Sequence, residues 1–211
     1  MQFDFSRLSK QERYKLLVSF IVPRPIALVT TRSLSGINNA APMSFFNVFG
    51  DDPAIIILGI QHRPDGRPKD TTQNIRDSGE FVVNLVDEPI AQKMITCSIE
   101  FPPDVDELKA AGLTLEPSVT IGPGWIAEAP AALECRTYQT LEFPSRSVIV
   151  GEVLYMHVHD RFIDPQTLRV RETEYNPLAR LHADTYLLAR RQFVLPRITY
   201  EEWLGLEERS E

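Results

Sequence analysis

Two stretches of this chain carry residue types whose spacing could do chemistry. In "HRPDGRPKDTTQNI", His62 to Ile75, the cations Arg63, Arg67 and Lys69 stand just ahead of a run that reads as the start of a helix. A phosphate monoester is close to a dianion at neutral pH. It binds where helix N-terminal amides, hydroxyls and Lys or Arg converge. This segment offers all three. Lys69 precedes the helix, Thr71 and Thr72 fall in its first turn, where amides have no intrahelical partner, and Arg63 and Arg67 flank a tight Pro64-Asp65-Gly66 turn. Asp70 reads as the helix N-cap, with Gln73 at the reciprocal capping-box position. The same residues also describe a solvated basic loop with a capped helix, and a carboxylate at Asp70 would repel phosphate unless it points away.

The second stretch is "TTRSLSGINNAAPMSFFN", Thr30 to Asn47. Thr30, Thr31, Ser33, Asn38, Asn39, Ser44 and Asn47 bring hydrogen-bonding groups, with Phe45 and Phe46 among them. A flavin ring has this dual need: its flat body requires apolar contact, and its N5 edge and pyrimidine carbonyls require donors. Small residues such as Ala40 and Ala41 would let backbone amides come close to a ring. An ordinary hairpin with polar turn residues is the other account. A single strand, Ala54 to Ile60, connects the two stretches, and consecutive strands usually neighbour one another. One ligand could therefore place its ring on one stretch and its phosphate on the other.

The elements that would position these residues follow from pattern. A helix is expected over Lys10 to Phe20, with Ser9 and Glu12 at capping-box spacing and Pro23 and Pro25 beyond its end. "IALVTTR" reads as a strand, "SLSG" as a turn and "INNAAPMSFF" as a return strand broken at Pro42; "PAIIILGI" reads as a strand buried on both faces. The helix that starts at Asp70 should end at Gly79, a natural C′ residue. "EFVVNLVD" is a further strand, helices are expected over Pro89 to Ser98 and Val105 to Ala111, and Gly112 to Pro130 reads as loop and short extended pieces. "ALECRTYQTLEF" and "SVIVGEVLYMHVHD" are long strands, "TYLLARRQFVL" a last strand and "YEEWLGL" a short terminal helix. Strands joined by short turns or a single helix favour a mainly β protein, an antiparallel barrel or sandwich with helices at its edge. No GxGxxG follows a strand, which argues against a Rossmann site.

Composition narrows the function classes. With 211 residues the chain is long enough for one large β-rich domain. A formal net charge of −7 argues against non-specific nucleic-acid binding. The two cysteines, Cys97 and Cys135, form neither a disulfide framework nor a zinc site, so a reducing cytoplasm is expected. The apolar runs "AIIILGI" and "SVIVG" are far too short to cross a bilayer. The N-terminal "MQFDFSRLSKQERY" does not read as a secretory leader. His157 and His159 alternate on one strand but lack a third ligand, so they are expected at surface positions and no metal is expected.

"RPIALVTT…G…N.APMSFFN", followed by "DPAIIILGI" and then "RPDGRPKDTTQNI…GEFVVNLV", resembles the flavin reductase-like, FMN-binding split-barrel family that includes flavoredoxin-type proteins. "GEVLYMHVHD" and "ARLHADTYLLARR" fall in order behind them. The likeness runs from about Arg24 to Phe193, so residues 1–211 are expected to form one FMN-binding domain, with the N-terminal helix and the C-terminal tail outside its core. The resemblance implies a six-stranded antiparallel Greek-key split β-barrel with flanking helices, a homodimer, and FMN near the dimer interface. It implies that Thr30, Thr31, Ala41, Ser44, Phe45, Phe46 and Asn47 line the flavin, with Arg63, Lys69, Asp70 and Thr71 around the phosphate. It implies hydride or electron transfer with NADH or NADPH as donor, and it names no acid–base residue. Relatives commonly carry glycines after the "RL" of this motif, where this chain continues from Leu181 into His182-Ala183, which marks His182 as a candidate substrate contact. Tyr186 either closes over a ligand or packs in the barrel.

Overall fold

The computed structural model describes residues 1–189 and 191–207. Helix α1, Lys10–Phe20, is closed by the expected capping box: the Glu12 amide donates to Ser9 Oγ at 3.3 Å and the Ser9 amide donates to Glu12 Oε2 at 2.8 Å. Seven strands then form one antiparallel sheet: β1 Ala27–Arg32, β2 Asn38–Met43, β3 Phe46–Asp51, β4 Ala54–Gln61, β5 Glu80–Leu85, β6 Ala131–Phe143 and β7 Arg146–Val158. Their order across the sheet is β2-β1-β5-β6-β7-β4-β3.

The edge strands β2 and β3 are consecutive in the chain, separated only by Ser44 and Phe45. The chain leaves one edge of the sheet and enters the other within two residues, which curls the sheet into a barrel. The Gly59 amide of β4 donates to the Phe45 carbonyl at 2.7 Å. A Cβ on Gly59 would lie 3.2 Å from Phe45 Cβ, so the absent side chain is what allows this approach. If β2 and β3 are counted as one bent strand, the barrel has the six strands that the resemblance implies. The bend falls at Ser44–Phe45 and not at Pro42. Pro42 sits within β2 opposite Leu28, and an edge strand tolerates its missing N–H.

Alternation along the strands separates two apolar cores. Ala27, Val29, Ile56, Leu58, Ile60, Phe81, Val83, Leu133 and Ile149 fill the barrel. Ile26, Leu28 and Ala40 face the other way, onto Met94 of α3 (Ala91–Thr96) and Leu108 of α4 (Glu107–Ala111). Because helices cover that outer face, "ALVTT" is buried at every position where a half-exposed strand would alternate, and its two threonine hydroxyls are hydrogen-bonded.

The expected helix after the basic segment is α2, Asp70–Ser78, and it ends on Gly79 at φ 74°. Its N-cap is Lys69, not Asp70, and neither Asp70 nor Gln73 caps it. The Asp70 carboxylate instead accepts from Arg63 at 2.6 Å, and Gln73 donates to Asp77. The last expected strand is shorter than "TYLLARRQFVL": Tyr186–Leu188 pairs with Leu178–Arg180, and residues 191–199 carry no regular structure, while Arg190 lies outside the described residues. A final helix, α5, spans Tyr200–Glu207, and the tail 208–211 is likewise outside the described residues. Among the described residues no helix is long and apolar enough to cross a membrane.

Candidate cofactor site

The bend between β2 and β3, the end of β4, and the start of α2 enclose one cavity. Ala41, Ser44 and Phe45 line one end of it; Arg63, Lys69, Asp70 and Thr71 line the other. These seven of the eleven expected cofactor contacts therefore share a wall. Phe46 and Asn47 line an adjoining cavity on the far side of Phe45. Thr31 lies buried behind the wall, where its hydroxyl donates to Asn39 Oδ1 at 3.2 Å and accepts from Asn74 Nδ2 at 3.0 Å. Thr30 turns away, and its hydroxyl donates to the Gly124 carbonyl at 2.6 Å.

Charge in the cavity is unevenly matched. Arg63 is paired with Asp70, and Arg67 stands outside the cavity with Asp65 at 2.7 Å. Among the described residues Lys69 and Arg146 have no carboxylate at ion-pair distance. Because Asp70 is drawn to Arg63, it leaves the first turn of α2, the positive end of the helix dipole, free beside Lys69. The Thr71 hydroxyl donates to Asn39 Oδ1 at 2.8 Å.

Asn39, Glu107 and Arg146 line this cavity and were not among the expected contacts. Glu107 Oε2 accepts from the Ala40 amide at 2.5 Å and from Asn39 Nδ2 at 2.6 Å. Burial pushes its carboxyl up to about 7; Asp70 and Asp106 push the same way, and the Ala40 amide and Lys69 oppose them. In sequence Glu107 follows Asp106, the cap of α4, and reads as a first-turn acid. Only the fold reveals that it is buried against β2. Arg146 opens β7 after the Pro144-Ser145 turn, and its guanidinium lies 4.6 Å from the centre of the Phe45 ring.

If the cavity holds a phosphate, Glu107 should make its binding sensitive to pH. Its carboxyl is largely neutral below about 7 and negative above, so an anionic ligand should bind more weakly as pH rises through that value. Relative to Glu107→Gln, the wild-type protein is expected to lose roughly threefold affinity for FMN between pH 6 and 8.5, about 0.7 kcal/mol. Parallel fluorescence-quenching titrations of the two proteins measure this; superimposable pH profiles would remove Glu107 from the ligand's surroundings.

His182 is exposed and lines neither cavity. The preceding Leu181 carbonyl accepts from Arg24 at 2.6 Å, and Arg24 also reaches Ser44 Oγ at 3.5 Å, which ties that loop to the cavity edge. Tyr186 is half-buried against the outer core, and its hydroxyl accepts from Arg180. The expectation of surface positions for His157 and His159 is corrected. His157 is enclosed between the Trp125 ring, 4.5 Å away and parallel, and Glu134, which it meets at 2.6 Å; His159 bonds to the Ala127 carbonyl. Among the described residues no cluster suits a metal ion.

Comparison with known proteins agrees with this architecture. The flavin reductase like domain matches residues 19–179. A protein of Aquifex aeolicus (strain VF5) is 40% identical over 189 residues, 90% of this chain and 96% of its own. The structure of the 2-nitrobenzoate 2-nitroreductase NbaA of Pseudomonas fluorescens superposes with a TM-score of 0.87 at 37% identity, covering 95% of this chain and 98% of that one. Nitrilotriacetate monooxygenase component B from Bacillus cereus superposes with a TM-score of 0.87 at 29% identity, covering 92% and 98%. A domain match over most of the chain, joined to relatives this similar over nearly its whole length, places the chain in the flavin reductase-like domain family.

Proposed function

We propose that the protein is an FMN-dependent oxidoreductase that takes electrons from NADH or NADPH and passes them to a flavin, a protein or a small-molecule acceptor. The observation that carries this reading is the division of one cavity into two chemistries. Phe45, Met43 and Ala41 offer a flat ring an apolar bed with backbone groups at its edge; Lys69, the free first turn of α2 and Thr71 offer a phosphate its donors. FMN, when bound, supplies the capacity to accept a hydride; the chain supplies position and electrostatics. Asn39 holds the Thr71 hydroxyl in place and is itself held by Glu107. The related nitroreductase and monooxygenase component support a redox role for the same barrel.

A homodimer in the reducing cytoplasm fits this reading. Tyr138, Leu141 and Phe143 on β6 are exposed, and so are Val48 and Phe49 on β3, and a second copy would cover such apolar surface. Both cysteines are free and buried, as a reduced protein allows.

Anaerobic titration of the FMN-loaded protein tests the proposal. NADH or NADPH should bleach the flavin absorbance. Bound FMN that neither nucleotide bleaches would make the chain a flavin carrier, and a protein that takes up no flavin would end the reading. His182→Gly belongs in the same experiment. As a substrate contact it should change the rate of reduction or reoxidation at least roughly fivefold, about 1 kcal/mol, while flavin content holds. Identical rates across pH 6 to 8 would leave it a solvent-facing loop residue.

A further inference from the structure

The second cavity, of about 400 Å³, falls within the size range of small-molecule sites and shares Ser44, Phe45, Gly59 and Arg146 with the cofactor cavity. Its walls are largely apolar: Leu17, Val18 and Ile21 from α1 and its end, Phe46 and Phe49 from β3, Ile57 from β4 and Val148 from β7. No acidic side chain lines it, yet two arginines do.

The two arginines differ in what their donors meet. Arg24 is buried and largely satisfied. It donates to the Val18 and Ile21 carbonyls at 2.9 and 3.0 Å and to the Leu181 carbonyl at 2.6 Å, so it holds α1 and the His182 loop together. Arg146 is half-buried beside Phe45, and among the described residues its guanidinium has no carboxylate partner. Burial disfavours its charge, and the ordinary remedy, a nearby acid, is missing. An anionic ligand would supply it, and the planar fork of a guanidinium matches a carboxylate. The remainder of such a ligand must be apolar to match Ile57, Val148 and Phe46, and flat to stack beside the Arg146–Phe45 pair.

We propose that this cavity binds a small aromatic carboxylate, its carboxylate on Arg146 and its ring against the apolar wall, next to the cofactor. The inference rests on the proposed function in one respect: it names the substrate class of the same site. Arg24 adds positive field without spending its donors on the ligand.

Benzoate is the probe, titrated calorimetrically into FMN-loaded protein while free flavin is followed by fluorescence. Benzoate should bind without releasing FMN, and benzyl alcohol, uncharged and of similar size, should bind at least about tenfold more weakly. Arg146→Ala should lose benzoate affinity by about tenfold or more, and Arg146→Lys, which keeps the charge but not the fork, should retain part of it. The Lys variant also covers the case in which Arg146→Ala does not fold. Equal binding of benzoate and benzyl alcohol, benzoate binding that expels FMN, or undiminished binding in both variants would overturn the proposal. Repeating the titration on flavin-free protein separates the two readings. Arg146-dependent benzoate binding by a chain that never takes up FMN sinks the proposed function and leaves this site standing. FMN uptake without such binding does the reverse.

Discussion

Replacing Glu134 by alanine is expected to cost the fold about 3–5 kcal/mol, the usual consequence of breaking a buried, hydrogen-bonded charge. Glu134 is fully buried on β6, yet its carboxylate is surrounded by donors. The Val119 and Thr120 amides reach it at 2.7 Å each, the Thr120 hydroxyl at 2.5 Å and His157 Nε2 at 2.6 Å. These contacts fasten the 117–124 loop to the barrel, and the loop in turn supplies the Gly124 carbonyl that takes the Thr30 hydroxyl. Alanine would strand all four donors at once. Urea unfolding followed by tryptophan fluorescence measures the loss, and a variant within about 0.5 kcal/mol of wild type would mean that water replaces the carboxylate at no cost.

The same residue gives the stability a pH signature. Burial alone would push the Glu134 carboxyl up, but the bonds from Thr120, Val119 and His157 outweigh it and bring it down to about 2 from an ordinary 4.5. The unfolded chain therefore takes up a proton first as pH falls. The stabilisation from Glu134 is complete above about 4.5 and is lost progressively as pH drops toward 2. In Glu134→Gln that portion of the acid dependence should be gone.

How much of this was legible in the sequence depended on whether a feature is local. The capping box at Ser9, the stop at Gly79 and the strands β1 and β4 are written in a few consecutive residues, and the structure has them where expected; β4, expected to be buried on both faces, alternates instead between buried Ile56, Leu58 and Ile60 and half-buried Ile55, Ile57 and Gly59. The misplaced features depend on distant partners. Asp70 looks like a cap because it is a good capping residue with Gln73 at capping-box spacing behind it, but Arg63, brought close by the Pro64–Gly66 turn, competes for its carboxylate and wins. Pro42 looks like a strand breaker, but β2 is an edge strand and has no need of that amide.

The site divided along the same line. Its two named segments are contiguous in sequence and meet in one cavity. Glu107 and Arg146 lie at helix and hairpin starts where a charged residue raises no suspicion, and their burial follows from how α4 and β7 pack. His157 was misjudged for the same reason: strand alternation puts it on a face, but not against Trp125 and Glu134, which come from elsewhere in the chain. Of the residues in the contiguous motifs that the resemblance singles out, Ala41, Ser44, Phe45, Arg63, Lys69, Asp70 and Thr71 line the cavity, whereas Thr30, Thr31, Phe46 and Asn47 do not. The resemblance says least about positions where this chain departs from the family, such as His182.

Lys69→Ala is expected to weaken FMN binding tenfold or more and to leave riboflavin binding nearly unchanged. Three cations stand in the basic segment, and the structure distinguishes them. Arg63 is neutralised by Asp70 and Arg67 by Asp65. Lys69, the N-cap of α2, alone of the three keeps an unmatched charge among the described residues, directly before the free amides of the first turn. A charge-assisted contact to phosphate is worth roughly 1.5–3 kcal/mol, which converts to about ten- to 150-fold in affinity. Riboflavin lacks the phosphate and should not register the loss. Arg67→Ala, exposed and already paired, should change FMN affinity by less than about threefold. Quenching of flavin fluorescence by each protein, at low salt and again at high salt, reads all of these constants, and added salt should narrow the gap between wild type and Lys69→Ala. Equal wild-type affinities for FMN and riboflavin would mean that the start of α2 holds no phosphate, and the ligand in this cavity would have to be sought among uncharged ring systems.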